Sequence, residues 1–418
     1  MSGSSNLAPS SYVGPQGPLE WALCRHLIHL MIASKRIAIA RGVDDGCVSE
    51  AEFILAPPRL WTLVRILIAP NLWVGESYAA GSWYLRKGSL TEFLDVIQRE
   101  APRAFQRYYE FTAALRGFRY YRGQYLLNVQ YTRKVRQHYE VDATIYEMIL
   151  DREMVYTCGF FETADQDLDV AQQNKLAVAI ARLELPEGSA KVLDIGCGWG
   201  ATARAIVRSH EHAEVCGLSI SEGQIEWARE RDCSVLSANQ LRRIDYRAED
   251  YVNHNVTQSY DAAIVIGMIE HVGLGGYETF FRRLYGFLKF GGTAVIHTIA
   301  APTPGKPANP WIDKKIFTGG HAPSVSELVR AIERQPFQIT GLYIYRSANY
   351  RRTIECWIHN FISNEPLLTR YMLRQGAAES EVEQFIRTWL FYLSGVRNMF
   401  SDGNRRSYQV VQVCIRKK

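Results

Sequence analysis

Val192-Leu-Asp-Ile-Gly-Cys-Gly-Trp-Gly200 constrains this chain more than any other stretch. An apolar run of strand type carries an acid near its end, glycines follow at 196, 198 and 200, and Ala201 onward reads as a helix. Glycine is used where the backbone must turn sharply and let a ligand approach with no Cβ in the way. A glycine triplet alone also marks ordinary tight turns between a strand and a helix. Here the acid stands two residues before the first glycine and no GK[ST] ending follows, which argues against a phosphate-cradling loop. The expected ligand is cationic or zwitterionic, with Asp194 binding an ammonium group.

Around this loop, strands and helices alternate, the signature of an α/β fold with a mostly parallel sheet wrapped by helices. The clearest strands are Lys191 to Ile195, Glu214 to Leu218, Tyr260 to Gly267 and Thr293 to Thr298. Helices are predicted at Ala201 to Arg208, Glu222 to Arg231 and Tyr277 to Leu288, and another begins near Val325, where Ser324 and Glu327 have capping-box spacing. A return strand is expected at Gln338 to Tyr345 and a closing one at Tyr408 to Arg416, with an aromatic-rich helical stretch between them. The second strand runs into Gly217-Leu-Ser-Ile-Ser-Glu-Gly-Gln224, where dinucleotide-binding folds place an acid on the ribose. Ser221 can equally be a plain helix N-cap. Glu270 follows the Tyr260 strand and His297 closes the next, so both are expected at the carboxyl edge of the sheet, where open parallel sheets bind ligands.

The length of 418 residues suits two or three domains. Residues 1–18 are uncharged and rich in Ser, Gly and Pro, and read as a disordered arm with no basic start or apolar run of a secretory signal. Residues 19–125 read as a smaller, mainly helical domain, 126–138 as a basic linker, and 139–418 as the α/β domain, with a helical insertion near 300–405. Arg25, His26, His29, Lys35 and Arg36 interrupt the apolar stretch from Trp21 to Ala40, so no membrane span is expected. The net charge of +5 does not favour nucleic acid as a partner, but local clustering matters more. Between Arg103 and His138 stand eight Arg or Lys (103, 107, 116, 119, 122, 133, 134 and 136) against one acid, Glu110, interleaved with Tyr and Phe. That segment suits an anionic lipid surface and, equally, a solvated linker. Eight scattered cysteines without a CxxC pair suggest neither a zinc site nor a disulfide framework, and fit a cytoplasmic chain with no bound metal. The 9 Trp, 23 Tyr and 17 Phe are a surplus of residues that line apolar pockets and membrane interfaces.

The D-x-G-x-G-x-G form resembles motif I of S-adenosylmethionine-dependent methyltransferases. Further motifs make the resemblance specific: Tyr156-Thr-Cys-Gly-Phe-Phe161, Ile269-Glu-His-Val-Gly273, His297-Thr-Ile299 and Pro310-Trp-Ile-Asp-Lys-Lys-Ile-Phe317, in that order, with Gly75-Glu-Ser-Tyr-Ala-Ala-Gly81 before them and Asn349-Tyr-Arg-Arg-Thr353 after. From about residue 55 to 418 the chain resembles the cyclopropane-fatty-acyl-phospholipid synthases, relatives of the mycolic-acid cyclopropane synthases.

The resemblance implies a Rossmann-like class I methyltransferase sheet with helices on both faces, and methyl transfer to the cis double bond of an unsaturated phospholipid acyl chain. It implies S-adenosylmethionine held by Tyr156, Thr157, Asp194, Gly196, Gly198 and Gly200, with Ser219, Ser221 and Gln224 on the ribose side and Asp250 and Tyr251 near the adenine. It also implies a bicarbonate ion bound by Cys158, Glu270, His297, the backbone of Ile299, and Tyr350, with Cys158, Glu270, His297 and Tyr350 as catalytic residues. Glu270 acting directly as the base is the alternative. Further implications are a catalytic role for 139–418 with an acyl-binding insertion near 300–405, a lipid-associated 19–125 domain, a peripheral position on the inner face of the membrane, and a homodimer. The chain departs from the family pattern in four places: His138-Tyr-Glu-Val-Asp-Ala143 replaces H-Y-D-x-G-N, Phe160 replaces Tyr, Ile269 replaces Phe, and Val396 replaces Cys. These changes leave a methyl-branched or methylene-branched product open beside the cyclopropane.

Overall fold

The computed structural model describes residues 8–32, 34–40, 50–105, 107–108, 111–112, 142–400 and 407–418. Apart from Arg103 and Arg107, the basic residues of the Arg103–His138 segment lie outside the described residues, as does the linker at 126–138. Two compact units are present, and they interleave along the chain: one comprises Met1–Arg119, Asn309–Ile316 and Trp357–Met399, the other Tyr120–Ala308, Phe317–Cys356 and Phe400–Lys418. The expected division into 19–125 and 139–418 follows chain order; the compact units do not.

Side-chain packing explains the composition of the first unit. Gly75 lies in the helix Pro70–Ala79, and a Cβ there would come within 2.7 Å of Trp311 and Phe391. Lys314 Nζ reaches Glu76 at 2.5 Å, so the Gly75–Gly81 motif and residues 310–316 of the Pro310–Phe317 motif, far apart in sequence, share one unit. Arg387 donates to the carbonyls of Tyr78 and Trp83, and Arg397 pairs with Asp95 at 2.6 Å. Tyr78, Trp83, Phe93, Trp311, Phe361 and Trp389 are buried here, which accounts for part of the aromatic surplus. Beside its helices the unit holds a three-stranded sheet: β1 (Ile37–Ile39) pairs in parallel with β2 (Phe53–Ala56), and β2 pairs antiparallel with β3 (Tyr84–Lys87). Residues 8–16, expected within a disordered arm, are placed against this unit: Tyr12 donates to the Pro57 carbonyl at 3.0 Å and meets the Tyr84 ring edge-on. The helix Leu60–Ile68 belongs to the same unit.

The second unit is built on a seven-stranded sheet. Its strands are β4 (Ala190–Ile195), β5 (Ala213–Ser219), β6 (Ile244–Ala248), β7 (Tyr260–Ile266), β8 (Leu288–Ala300), β9 (Phe337–Tyr345) and β10 (Gln409–Lys417). The spatial order is β6-β5-β4-β7-β8-β10-β9, with β10 antiparallel to both neighbours and the β4–β8 pairs parallel. Successive residues of β4 alternate between faces, so Leu193 and Ile195 enter one core with Phe280, Phe281 and Leu284, and Val192 enters the other with Ala203, Ile206 and Val207. Helices cover both faces, as expected for the α/β class. The chain order reverses at β4, whose neighbours β5 and β7 lie on opposite sides; such switch points open a crevice at the carboxyl ends of the strands. Among the described residues no helix is long and apolar enough to cross a membrane.

Candidate active site

At the carboxyl ends of β4 and β5 the second unit has a cavity of about 330 Å³. Its lining includes eight residues expected from sequence: Tyr156, Thr157, Gly196, Gly198, Ser219, Gln224, Asp250 and Tyr251. Asp194, Gly200 and Ser221 are not part of the lining. Ser221 caps the helix Glu222–Val235 by accepting from Gln224 N, and Ser219 donates to Gln224 Oε1 at 2.9 Å. Gly196 has φ +84°, and a Cβ there would lie 2.7 Å from Met268, so side chains are excluded where the β4 and β7 loops cross.

The electrostatics behind this wall are unusual. Asp194 is 2% exposed, its Oδ2 has no hydrogen-bond partner, and burial raises its pKa to about 7 against the opposing pull of the Lys175 ammonium. Lys175 lines the cavity and donates to Thr157 Oγ1 at 3.0 Å. Its own pKa is lowered by burial to about 8, with Asp151, Cys158 and Asp194 acting in the other direction. Asp151 in turn accepts from the amides of Glu153 and Val155, which shapes the loop leading to Tyr156. A buried acid without a partner beside an open cavity fits the ammonium end of a zwitterion.

The residues expected at a reaction centre, Cys158, Glu270, His297 and Tyr350, are not in the cavity lining. Glu270 sits in the single turn Ile269–His271 after β7, and its Oε1 accepts from Ile299 N at 2.8 Å. Glu270 Oε2 is buried with no hydrogen-bond partner, and burial raises the carboxyl pKa. His297 was expected at the end of its strand, but β8 runs on to Ala300 because β10 pairs with it as far as Gln409–Ala300. Pairing of β8 with β7 does stop at His297. Burial holds the His297 imidazole well below its ordinary pKa, with Lys175 and Arg182 adding to the effect. Burial pushes the Cys158 thiol up to about 12, which disfavours the thiolate form that a nucleophilic role would need.

Backbone-to-side-chain bonds draw these residues toward one another. Gly159 N donates to Thr353 Oγ1 at 3.0 Å and Phe161 N to Asn349 Oδ1 at 3.1 Å, tying the Cys158 loop to the turn of helix that carries Tyr350. The Phe160 ring lies 5.7 Å from His297 and stacks on Tyr345 at 4.0 Å, and Tyr350 lies 4.5 Å from Phe400. In the departing 138–143 segment, Asp142 caps the short helix Ala143–Glu147 by accepting from Thr144 N at 2.8 Å.

Sequence reasoning passes over Lys175, Glu249 and Gln412. Lys175 carries a readable signal, since it falls on the buried stripe Leu168, Ala171, Gln172, Lys175, Leu176, Ala179 of the helix Leu168–Ala181. Gln412 does too, as a polar residue inside the apolar run Val410 to Ile415. Glu249, which lines the cavity next to Asp250, has no distinguishing mark.

Known proteins match along most of this architecture. Residues 128–412 match the family model described as mycolic acid cyclopropane synthetase. The cyclopropane-fatty-acyl-phospholipid synthase of Escherichia coli (strain K12) is 29% identical over 351 residues, covering 83% of this chain and 84% of that protein. The cyclopropane synthase MmaA2 from Mycobacterium tuberculosis superposes with a TM-score of 0.60 at 25% identity, covering 68% of this chain and 98% of that one. The mycolic acid cyclopropane synthase CmaA1 complexed with SAH and CTAB gives 0.59 at 26% identity, again covering 68% and 98%.

Proposed function

The chain belongs to the mycolic acid cyclopropane synthetase family, and from that premise we propose that it is an S-adenosylmethionine-dependent methyltransferase acting on the cis double bond of an unsaturated phospholipid acyl chain, with proton loss from the added methyl closing a cyclopropane ring. The observation that carries this reading is the pairing of two sites at the carboxyl ends of the sheet strands: a glycine-walled cavity backed by Asp194, whose Oδ2 has no hydrogen-bond partner, and Glu270, whose Oε1 is held by Ile299 N while its buried Oε2 has none.

S-adenosylmethionine supplies a methyl group on a positively charged sulfur. Gly196 and Gly198 let its chain approach the backbone, Asp194 would take the ammonium, Ser219 and Gln224 the ribose, and Asp250 and Tyr251 the adenine. The acyl double bond is a weak nucleophile, so alignment of the two reactants carries much of the rate, up to ~7–11 kcal/mol. The cation then formed on the acyl chain would be stabilised by aromatic faces, for which Phe160, packed on His297, and Tyr350 are candidates. A carbocation is already acidic, so the final base needs position more than strength.

Two bases fit the residues present. A bicarbonate ion suits the donor types, since thiol, imidazole and phenol can donate while Glu270 accepts from the ion's hydroxyl. Two expected donors are engaged, because Ile299 N already serves Glu270 Oε1 and Cys158 Sγ donates to the Gly159 carbonyl at 3.3 Å. That engagement, with Oε2 left over and its proton affinity raised by burial, favours the second reading, in which Glu270 takes the proton itself.

Peripheral attachment to the inner face of a membrane, through the basic and aromatic Arg103–His138 segment, and pairing as a homodimer in the cytoplasm belong to the same proposal. Replacing Arg116, Arg119 and Arg122 with Gln should weaken co-sedimentation with anionic vesicles, more at low salt than at high. Unchanged sedimentation would leave that segment a solvated linker. For the activity itself, incubation with methyl-labelled S-adenosylmethionine and monounsaturated phospholipid vesicles should move label into the acyl chains, and label absent from lipid despite cofactor binding would overturn the reading.

A further inference from the structure

His297 is held from behind by a line of side chains. Gln412 stands opposite His297 in the β8–β10 register and is fully buried. Its amide nitrogen lies 3.2 Å from His297 Nδ1. Its amide oxygen accepts from Arg182 Nη1 and from the Tyr345 hydroxyl, the latter at 3.2 Å. Arg182 donates to the Tyr345 hydroxyl oxygen as well, and its guanidinium sits 3.4 Å from the centroid of the Tyr343 ring.

The direction of every bond in this line is set by chemistry. A guanidinium has donors only, so the Gln412 atom that faces Arg182 must be the amide oxygen. The other end is then the NH₂ group, which also only donates. His297 Nδ1 must therefore accept, and the ring proton sits on Nε2. An imidazolium would oppose one N–H against another, so the ring is neutral as well.

We propose that Gln412, oriented by Arg182, is a positioning residue that fixes His297 as the neutral Nε2–H tautomer, so that His297 serves the reaction centre as a hydrogen-bond donor and not as a proton acceptor. The assignment of His297 to the reaction centre rests on the function proposed above; the tautomer does not. Burial acts in the same direction, as do the Lys175 and Arg182 charges, by disfavouring a second proton on the ring. The remaining neighbour identified on the ring is Phe160, which is not ionisable. Whichever base completes the reaction, His297 would then donate to it or to an oxyanion beside it.

The test is a ¹H–¹⁵N spectrum of the full chain carrying ring-labelled histidine, with His297 assigned by the signal lost in His297→Gln. The expected pattern is a protonated Nε2 and a bare Nδ1 throughout the neutral pH range. In Gln412→Glu a carboxylate replaces the NH₂ donor, so the proton should move to Nδ1. Turnover should fall about 10- to 100-fold, as when a residue orienting a functional imidazole is lost. Affinity for S-adenosylmethionine should be unchanged, because neither His297 nor Gln412 lines its cavity. An Nδ1–H or doubly protonated ring in the unmodified protein would overturn the proposal, as would an unchanged tautomer in Gln412→Glu. Should that variant not fold, the unmodified spectrum alone decides. A correct tautomer without lipid methylation would sustain this inference and count against the proposed function.

Discussion

Glu270→Gln should lower turnover by roughly 10²–10⁴-fold, the contribution of a positioned general base, while S-adenosylmethionine binds as before. The substitution is nearly isosteric, and a glutamine oxygen can still accept from Ile299 N at the position now 2.8 Å away. The fold and the hydrogen bond from His321 N to the residue 270 carbonyl should also persist. What disappears is the second oxygen's capacity to take a proton. Because burial raises the Glu270 pKa, the unmodified enzyme should gain activity as pH rises through that elevated value, where the carboxyl group becomes ionised. The variant should lack this limb. Adding bicarbonate to carbon-dioxide-depleted assays separates the two bases: stimulation of the unmodified enzyme identifies the ion, and indifference leaves Glu270 as the base. Loss of cofactor binding in Glu270→Gln would instead place the residue at the wrong site.

Asp194→Asn should weaken S-adenosylmethionine binding about 10- to 100-fold, the worth of a hydrogen bond between charged partners, and should remove a pH dependence from it. In the free protein, burial raises the Asp194 pKa to about 7, so below that pH the carboxyl must lose a proton before it can hold an ammonium. Affinity measured by calorimetry is therefore expected to fall as pH drops through about 7, and to be flat across that window in the Asn variant. The Lys175 ammonium works against the burial effect, so Lys175→Met should shift the midpoint upward. The stability linkage has the opposite sign. An acid whose folded pKa is raised contributes stability below its unfolded value, and that contribution is lost as pH rises through the folded one. Binding and stability should thus respond to pH in opposite directions near neutrality, and parallel responses would mean that Asp194 acts only through the fold.

Much of this site is legible in the amino-acid sequence because its chemistry is written locally. The acid-and-glycine turn lies within nine residues, and β4, β5 and β7 appear as apolar runs ending where the loops carry function. Three features are not legible, each for a physical reason. β6 is an edge strand in which only Tyr246 is buried, so it lacks the apolar alternation that marks a strand. The first unit gathers Asn309–Ile316 and Trp357–Met399 with the N-terminal residues, and that grouping depends on contacts such as Trp311 with Phe391 and Arg387 with Tyr78, which no local pattern encodes. The far end of β8 is set by its antiparallel partner β10, more than a hundred residues later, so His297 lies inside a strand that periodicity alone would stop beside it. Lys175 and Gln412 are of another kind. Each is a polar residue on an otherwise apolar stripe, and such exceptions to patterning are where function is to be sought.

In the proposed reaction the methyl carbon is added to the acyl chain and then becomes the third ring carbon by giving up one of its own protons. Trideuteromethyl S-adenosylmethionine tests it directly with vesicles of a single monounsaturated phospholipid, the acyl chains being analysed by mass spectrometry and NMR. Cyclopropyl signals with two of the three deuteriums retained, on the ring carbon, are the predicted result. A branched methyl group retaining all three would rule this reaction out, because the proton would then have left from the chain and no ring would have closed.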